Sequence, residues 1–254
     1  MMYKNSIILL IILAFTQSCV SKKKILYFQD AENYNVENIV YENSKIQPND
    51  ILSIIVTTPI PEASIPYNLP TLGGGTFSIE ALKLQGYLVS EDDTIDFPVL
   101  GEISSKGMTT DSLQNDITKR LEEGGHLKDA TVNVRLLNAK VTILGEVMRP
   151  GTFSFTEQTI TLPQALGYSG DLTIVGKRND ILLIREENGI RSINHIDLTT
   201  TDWINSSLYY IKPNDVIVVN PNNTKVKSAG FIGNAGIVLT ILSLLLTSVV
   251  LITN

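Results

Sequence analysis

The feature that most limits what this chain can fold into is a long apolar run. From Ile237 to Ile252 it reads IVLTILSLLLTSVVLI, without a charged side chain. With FIGNAG in front, the run reaches the roughly 20 residues that a helix needs to cross a ~30 Å hydrocarbon layer. A membrane-spanning helix is therefore expected over residues 231–253. Within it Gly233, Gly236, Thr240, Ser243 and Thr247 follow alternating steps of three and four, which sets them on one helical stripe. Such a stripe suits close packing against neighbouring helices, or a wall facing water in an assembly of several copies. Ser and Thr in lipid also bond back to their own helix, and the sequence leaves these readings open.

The opposite end is apolar in a different way. Residues 1–18 carry Lys4, an apolar run from Ile7 to Phe15 and then small and polar residues, the layout of a signal peptide. Cys19 follows it and is the only cysteine, so no internal disulfide can form. The stretch FTQSCV resembles a bacterial lipoprotein signal, although Thr16 stands where a leucine is usual. Lipidation of Cys19 is expected, with residues 19–44 as a lipid-anchored linker and the lysines of SKKK lying among headgroups.

About 200 residues lie between these ends, enough for two small domains. The net charge of −6 leaves no basic footprint for nucleic acid. The segment opens and closes on the same device: IQPNDILSIIV places Ile46 two residues before Pro48-Asn49-Asp50, and IKPNDVIVVNP places Ile211 two residues before Pro213-Asn214-Asp215. In each, proline and Asn-Asp make a turn into a β-branched strand, so Asp50 and Asp215 are read as turn residues.

The stretch from Thr57 to Gln85, with its prolines and Gly73–Gly75, reads as a long inserted loop; no phosphate-binding motif follows the glycines. GYLVSEDDTIDFPVLGEI gives two strands around an acidic turn at Glu91–Asp93, with Ile95, Phe97 and Val99 expected on one face. Leu113, Ile117 and Leu121 then recur at helical spacing, capped by Thr109 or Thr110 and stopped by Gly124-Gly125. ATVNVRLL returns to alternation, with Val132, Val134 and Leu136 inward. Beyond Lys140 come a hairpin turned by Pro150-Gly151, a short helix starting near Pro163, a hairpin tipped at Glu187–Gly189 and a closing strand. The fold class expected is α+β, a small domain at 45–138 followed by a β-grasp-like module at 139–221.

Taken in order, IQPNDILSIIV, GYLVSEDDTIDFPVLGEI, GMTTDSLQNDITKRL, ATVNVRLL, VTILGEVMRPGTFSF, TLPQALGYSGDL and YIKPNDVIVVNP resemble the outer-membrane polysaccharide export family. The resemblance runs from about Lys45 to Pro221 and implies an export domain followed by a soluble-ligand-binding β-grasp domain. It implies an outer-membrane lipoprotein with its body in the periplasm, assembled as a homo-oligomeric ring, commonly an octamer. Capsular or exopolysaccharide would pass through the ring, handed over by an inner-membrane co-polymerase that is often a tyrosine autokinase. One β-grasp module fits between Lys140 and Pro221, so the body should be shorter than in members with two. The alternative is a non-conducting sugar-binding or scaffold lipoprotein of the same machinery.

No residue is assigned a catalytic role. Sugar hydrolysis requires two carboxylates across a cleft, and zinc chemistry a ligand set that His126, His195 and a lone cysteine do not supply. Asp92, Asp93 and Asp96 are read as turn and outward strand positions, and no metal or cofactor is expected.

Overall fold

The computed structural model describes residues 23, 25–38, 43–70 and 78–228, together with helical positions 236, 239–241, 243–244, 247–248 and 251. The signal peptide, Cys19, Gly73–Gly75 and Gly233 lie outside them. Among the described residues no helix is long and apolar enough to cross a membrane, and most of the expected 231–253 span falls beyond them. The architecture is mixed helix and strand, an α+β arrangement.

Two apolar cores follow one another along the chain. The first is built by β1 (Ile51–Thr57), α1 (Pro61–Ser64), α2 (Ile79–Leu84), β2 (Tyr87–Leu88), β3 (Thr94–Phe97), β4 (Gly101–Ser104), α3 (Thr110–Glu123) and β5 (Thr131–Leu136). Strands β2, β1 and β5 form an antiparallel sheet, and β3 pairs with β4 as a separate ribbon. Alternation sends Leu52, Ile54 and Val56 of β1 and Val132 and Val134 of β5 to the same side, where α3 packs. Leu113, Ile117 and Leu121 of α3 are fully buried there, each contributing about 1.5–3 kcal/mol of hydrophobic stabilisation. Thr109 caps α3 by accepting the Ser112 N–H at 3.2 Å, and Gly125, at φ +70°, carries the chain out of it.

Two expectations fail in this unit for local reasons. Val99 is exposed, at φ +68°, because β3 ends at Phe97 and the chain turns through residues 98–100 into β4. The expected long loop contains helical turns: Pro61 sits in the first turn of α1, and the Ser78 hydroxyl caps α2 by accepting the Ala81 N–H. Leu136 faces inward with Val132 and Val134, and is partly buried where it packs against both cores.

The second core follows from β6 (Lys140–Gly145), β7 (Gly151–Ser154), β8 (Ile160–Thr161), α4 (Leu162–Tyr168), β9 (Gly176–Glu187), β10 (Ile190–Ile196), β11 (Tyr210–Ile211), β12 (Val216–Pro221) and α5 (Asn223–Ser228). Five strands form one sheet in the order β10-β9-β12-β6-β7, with β12 parallel to β6 and antiparallel to β9. Val141, Ile143, Ile181, Leu183, Ile217 and Val219 are buried in one core with Leu162, Ala165 and Leu166 of α4. A capping box between Thr161 and Gln164 starts that helix. At Gly145, φ is +89° and a Cβ would meet the Val219 carbonyl at 2.1 Å, so the parallel pairing needs glycine there. The expected closing strand is two strands, because the Pro213-Asn214-Asp215 turn divides β11 from β12.

The chain ahead of the first unit packs on the second. Phe28 and Gln29 donate their N–H groups to the carbonyls of Leu198 and Thr199, at 3.2 and 2.7 Å. Tyr27 donates to Asp171 at 2.6 Å, and the Asp30 carboxylate accepts from the backbone and hydroxyl of Thr201. The Phe28 ring stacks on Trp203, with 5.9 Å between centroids.

Candidate functional site

The repeated Pro-Asn-Asp segments fold into the same object. In each, Asp closes a turn by donating its N–H to the residue three before it: Asp50 to Gln47 at 3.1 Å and Asp215 to Lys212 at 3.2 Å. Asn49 and Asn214 stand at φ +70° and +68°, the third position of a type II turn with proline at the second. Each carboxylate then turns back to accept the N–H it has just passed, Gln47 to Asp50 at 2.9 Å and Lys212 to Asp215 at 2.8 Å. Neighbouring backbone is held alike: Asn49 donates to Val89 and Asn214 to Lys140, while the Asp50 and Asp215 carbonyls accept from Val89 and Thr142.

The two aspartates then diverge. Asp215 is 1% exposed and held by the Arg185 guanidinium, which reaches it through Nε at 3.0 Å and Nη2 at 2.6 Å. Arg185 gives two further donors to the carbonyls of Ser207 and Tyr210, at 3.1 and 2.7 Å. Burial pushes the Asp215 carboxyl up, and Arg185 and the Lys212 N–H act against that. Asp50 is 3% exposed, and no cation pairs with it among the described residues. Burial raises its pKa to about 6, opposed only by the hydrogen bond from Gln47. Reading Asp215 as a turn residue thus missed a buried ion pair. Its signal was in β9, where alternation points Ile181, Leu183 and Arg185 to the same side, so an arginine occupies an inward position.

Both turns border a cleft between the two units. Gln47 donates to the Glu186 carbonyl at 3.1 Å and Lys45 to the Asn188 side chain at 3.2 Å, tying the first turn to the tip of the β9–β10 hairpin. Two cavities open along it, one of about 410 Å³ and one of about 920 Å³, and Asp50 and Pro213 line both. Asn138 braces the first turn from the strand connection, accepting the Ile51 N–H and donating to the Asn49 carbonyl, each at 2.9 Å.

The described part of the expected helical stripe stands apart from this cleft. Thr240, Ser243 and Thr247 are exposed, and their hydroxyls donate to the carbonyls of Gly236, Thr240 and Ser243 at 2.7, 2.9 and 2.7 Å. His126 lies edge-on to Tyr67, and His195 pairs with Asp180 on the outer side of the sheet. Among the described residues no group of three or more His, Cys, Asp and Glu side chains is placed to hold a metal.

Residues 40–137 match the family described as polysaccharide biosynthesis/export protein, and this stretch takes in the whole first core from Ile46 to Val134. Over residues 40–137 the chain carries a polysaccharide export domain. It is similar to the EPS I polysaccharide export outer membrane protein EpsA of Ralstonia nicotianae, 32% identical over 154 residues, 56% of this chain and 38% of the relative. The protein of the same name from Ralstonia solanacearum is 26% identical over 199 residues, 75% of this chain and 52% of the relative. The likeness thus covers about two fifths to half the length of these relatives. Three quarters of the chain cannot fit ahead of residue 137, so the likeness to export proteins extends into the second core.

Proposed function

We propose that this chain is an outer-membrane lipoprotein subunit of an oligomeric translocon that moves capsular or exopolysaccharide across the periplasm and outer membrane. The observation that carries this is the coincidence of the export-family match with an entire folded core. Residues 45–138 act as the export domain and 139–221 as a soluble-ligand-binding module of β-grasp type. Both relatives are named as outer membrane proteins, which supports the same location. The chain acts by assembly and not by catalysis, receiving polymer from an inner-membrane co-polymerase.

The fold supports anchoring through the second unit. Tyr27 is hydrogen-bonded there eight positions after Cys19, a span of at most about 28 Å in extended chain. α5 follows β12 and leads toward the apolar run, so a lipid on Cys19 and a helix over 231–253 would hold the same unit against the membrane. Association with further copies is supported by the outer face of the five-stranded sheet. There His195, Leu182, Val218 and Leu144 form one cross-strand row, and Ile193, Ile184 and Val216 lie in the next. Ile193 is 60% and Leu144 44% exposed, apolar surface that a second copy would cover. Several terminal helices around water would then supply a path that one helix in lipid cannot.

Sizing of the detergent-extracted chain by native mass spectrometry decides between this reading and the non-conducting scaffold. A ring of many copies is expected, and a monomer or dimer would sink the translocon. Removal of residues 231–254 should abolish surface polysaccharide while leaving a lipid-anchored body, and Cys19→Ala should lose labelling by a fatty-acid analogue.

A further inference from the structure

The second unit shows what this turn does when a cation is supplied: the Arg185 guanidinium lies on Asp215 through two nitrogens. The first unit repeats the turn and buries Asp50 about as deeply, yet among the described residues Asp50 receives only the Gln47 N–H, on Oδ2. Its other oxygen has no donor among the described residues, and Asp50 is a lining residue of both cavities. A buried carboxylate with an open acceptor is costly unless a donor arrives.

We propose that the cleft between the two units binds an organic cation, a guanidinium or alkylammonium group, seated on Asp50 as Arg185 is seated on Asp215.

The cavity chemistry favours such a ligand. At about 410 Å³ the smaller cavity exceeds the ~30 Å³ share of a water molecule many times over, leaving room for a head group and its stem. Asp111 and Glu157 line it beside Asp50, adding two further carboxylates. Of the chain's own cations there, Lys45 donates to Asn188, and Arg135 stands on the exposed face of β5. Among the described residues neither cavity is lined by an aromatic ring, the flat surface on which a sugar ring would stack. A guanidinium satisfies both carboxylate oxygens in one plane, and an ammonium supplies a point charge, so both head groups fit the same acceptor.

The test uses the full chain in detergent micelles, ¹³C-labelled at aspartate carboxyl carbons and titrated with agmatine and with n-butylammonium. The Asp50 resonance should shift saturably with at least one of them, its midpoint falling by about one pH unit or more, while the Asp215 resonance stays in place. Asp50→Asn keeps an oxygen for the Gln47 N–H, so the turn persists, and binding should weaken about tenfold or more. The proposal is overturned if Asp50 fails to respond to either cation, if Asp50→Asn binds as tightly as the parent, or if a neutral trisaccharide shifts Asp50 where the cations do not. It is equally overturned if Arg135→Ala raises the Asp50 midpoint in the unliganded chain, because the chain's own arginine would then already occupy the place.

Discussion

The two Pro-Asn-Asp turns share sequence, backbone and burial, and differ in one partner. In the second unit the aspartate is neutralised from within by an arginine on the adjacent strand. In the first, β2 and β5 flank β1, and the carboxylate borders a cleft. The comparison separates two jobs that one residue type performs. Folding back onto the turn needs only an oxygen, and both aspartates do it. Holding a charge out of water needs a cation, and only Asp215 has one among the described residues.

The largest effect should come from breaking the filled turn. Asp215→Asn strands Arg185, whose side chain is 7% exposed, and should cost about 3–5 kcal/mol in chemical denaturation. Asp50→Asn removes an unpaired buried charge and should leave stability at neutral pH unchanged or higher. A comparable loss in both variants would erase the distinction.

The next effect is a pH dependence belonging to the first turn alone. The folded Asp50 pKa of about 6 lies above its ordinary 3.8, so the folded state holds the proton more tightly. Asp50 should therefore lower stability as pH rises from about 4 to about 6, by about 2–3 kcal/mol in all, with no further change above that window. Denaturation across this range in parent and Asp50→Asn should differ by that slope, and parallel curves would contradict the buried, unpaired state.

Smaller changes probe the shared backbone. Asn138→Ala removes two hydrogen bonds to the first turn and should cost about 1–2 kcal/mol, with the second turn untouched. Asn49→Ala and Asn214→Ala place a less tolerant residue at positive φ and should each cost about 1 kcal/mol, nearly equally. Lys45→Ala loses one exposed contact across the cleft and should stay within about 0.5 kcal/mol.

Period and turn chemistry made much of this fold readable. Leu113, Ile117 and Leu121 announced a helix face, and Asn188-Gly189 with positive φ at both positions closed the hairpin its sequence proposes. The strand end at Phe97 was hidden, because Val99 continues the alternation and only the turn geometry interrupts it. The Arg185–Asp215 pair was half legible: an inward arginine demands a partner, yet thirty positions separate the two and their meeting depends on β9 lying beside β12. The cleft could not be read at all, since it arises from how two separately patterned cores meet. The packing of Phe28 on Trp203 was equally hidden, as nothing in a linker's composition names the unit it will touch.

That packing has a mechanical consequence. Tension applied to the chain ahead of Tyr27 enters the molecule through the second unit, loading the bonds from Phe28 and Gln29 to Leu198 and Thr199 together with the ring stack behind them. The first unit, which among the described residues the chain first meets at Asn43 and Lys45, lies off this load path.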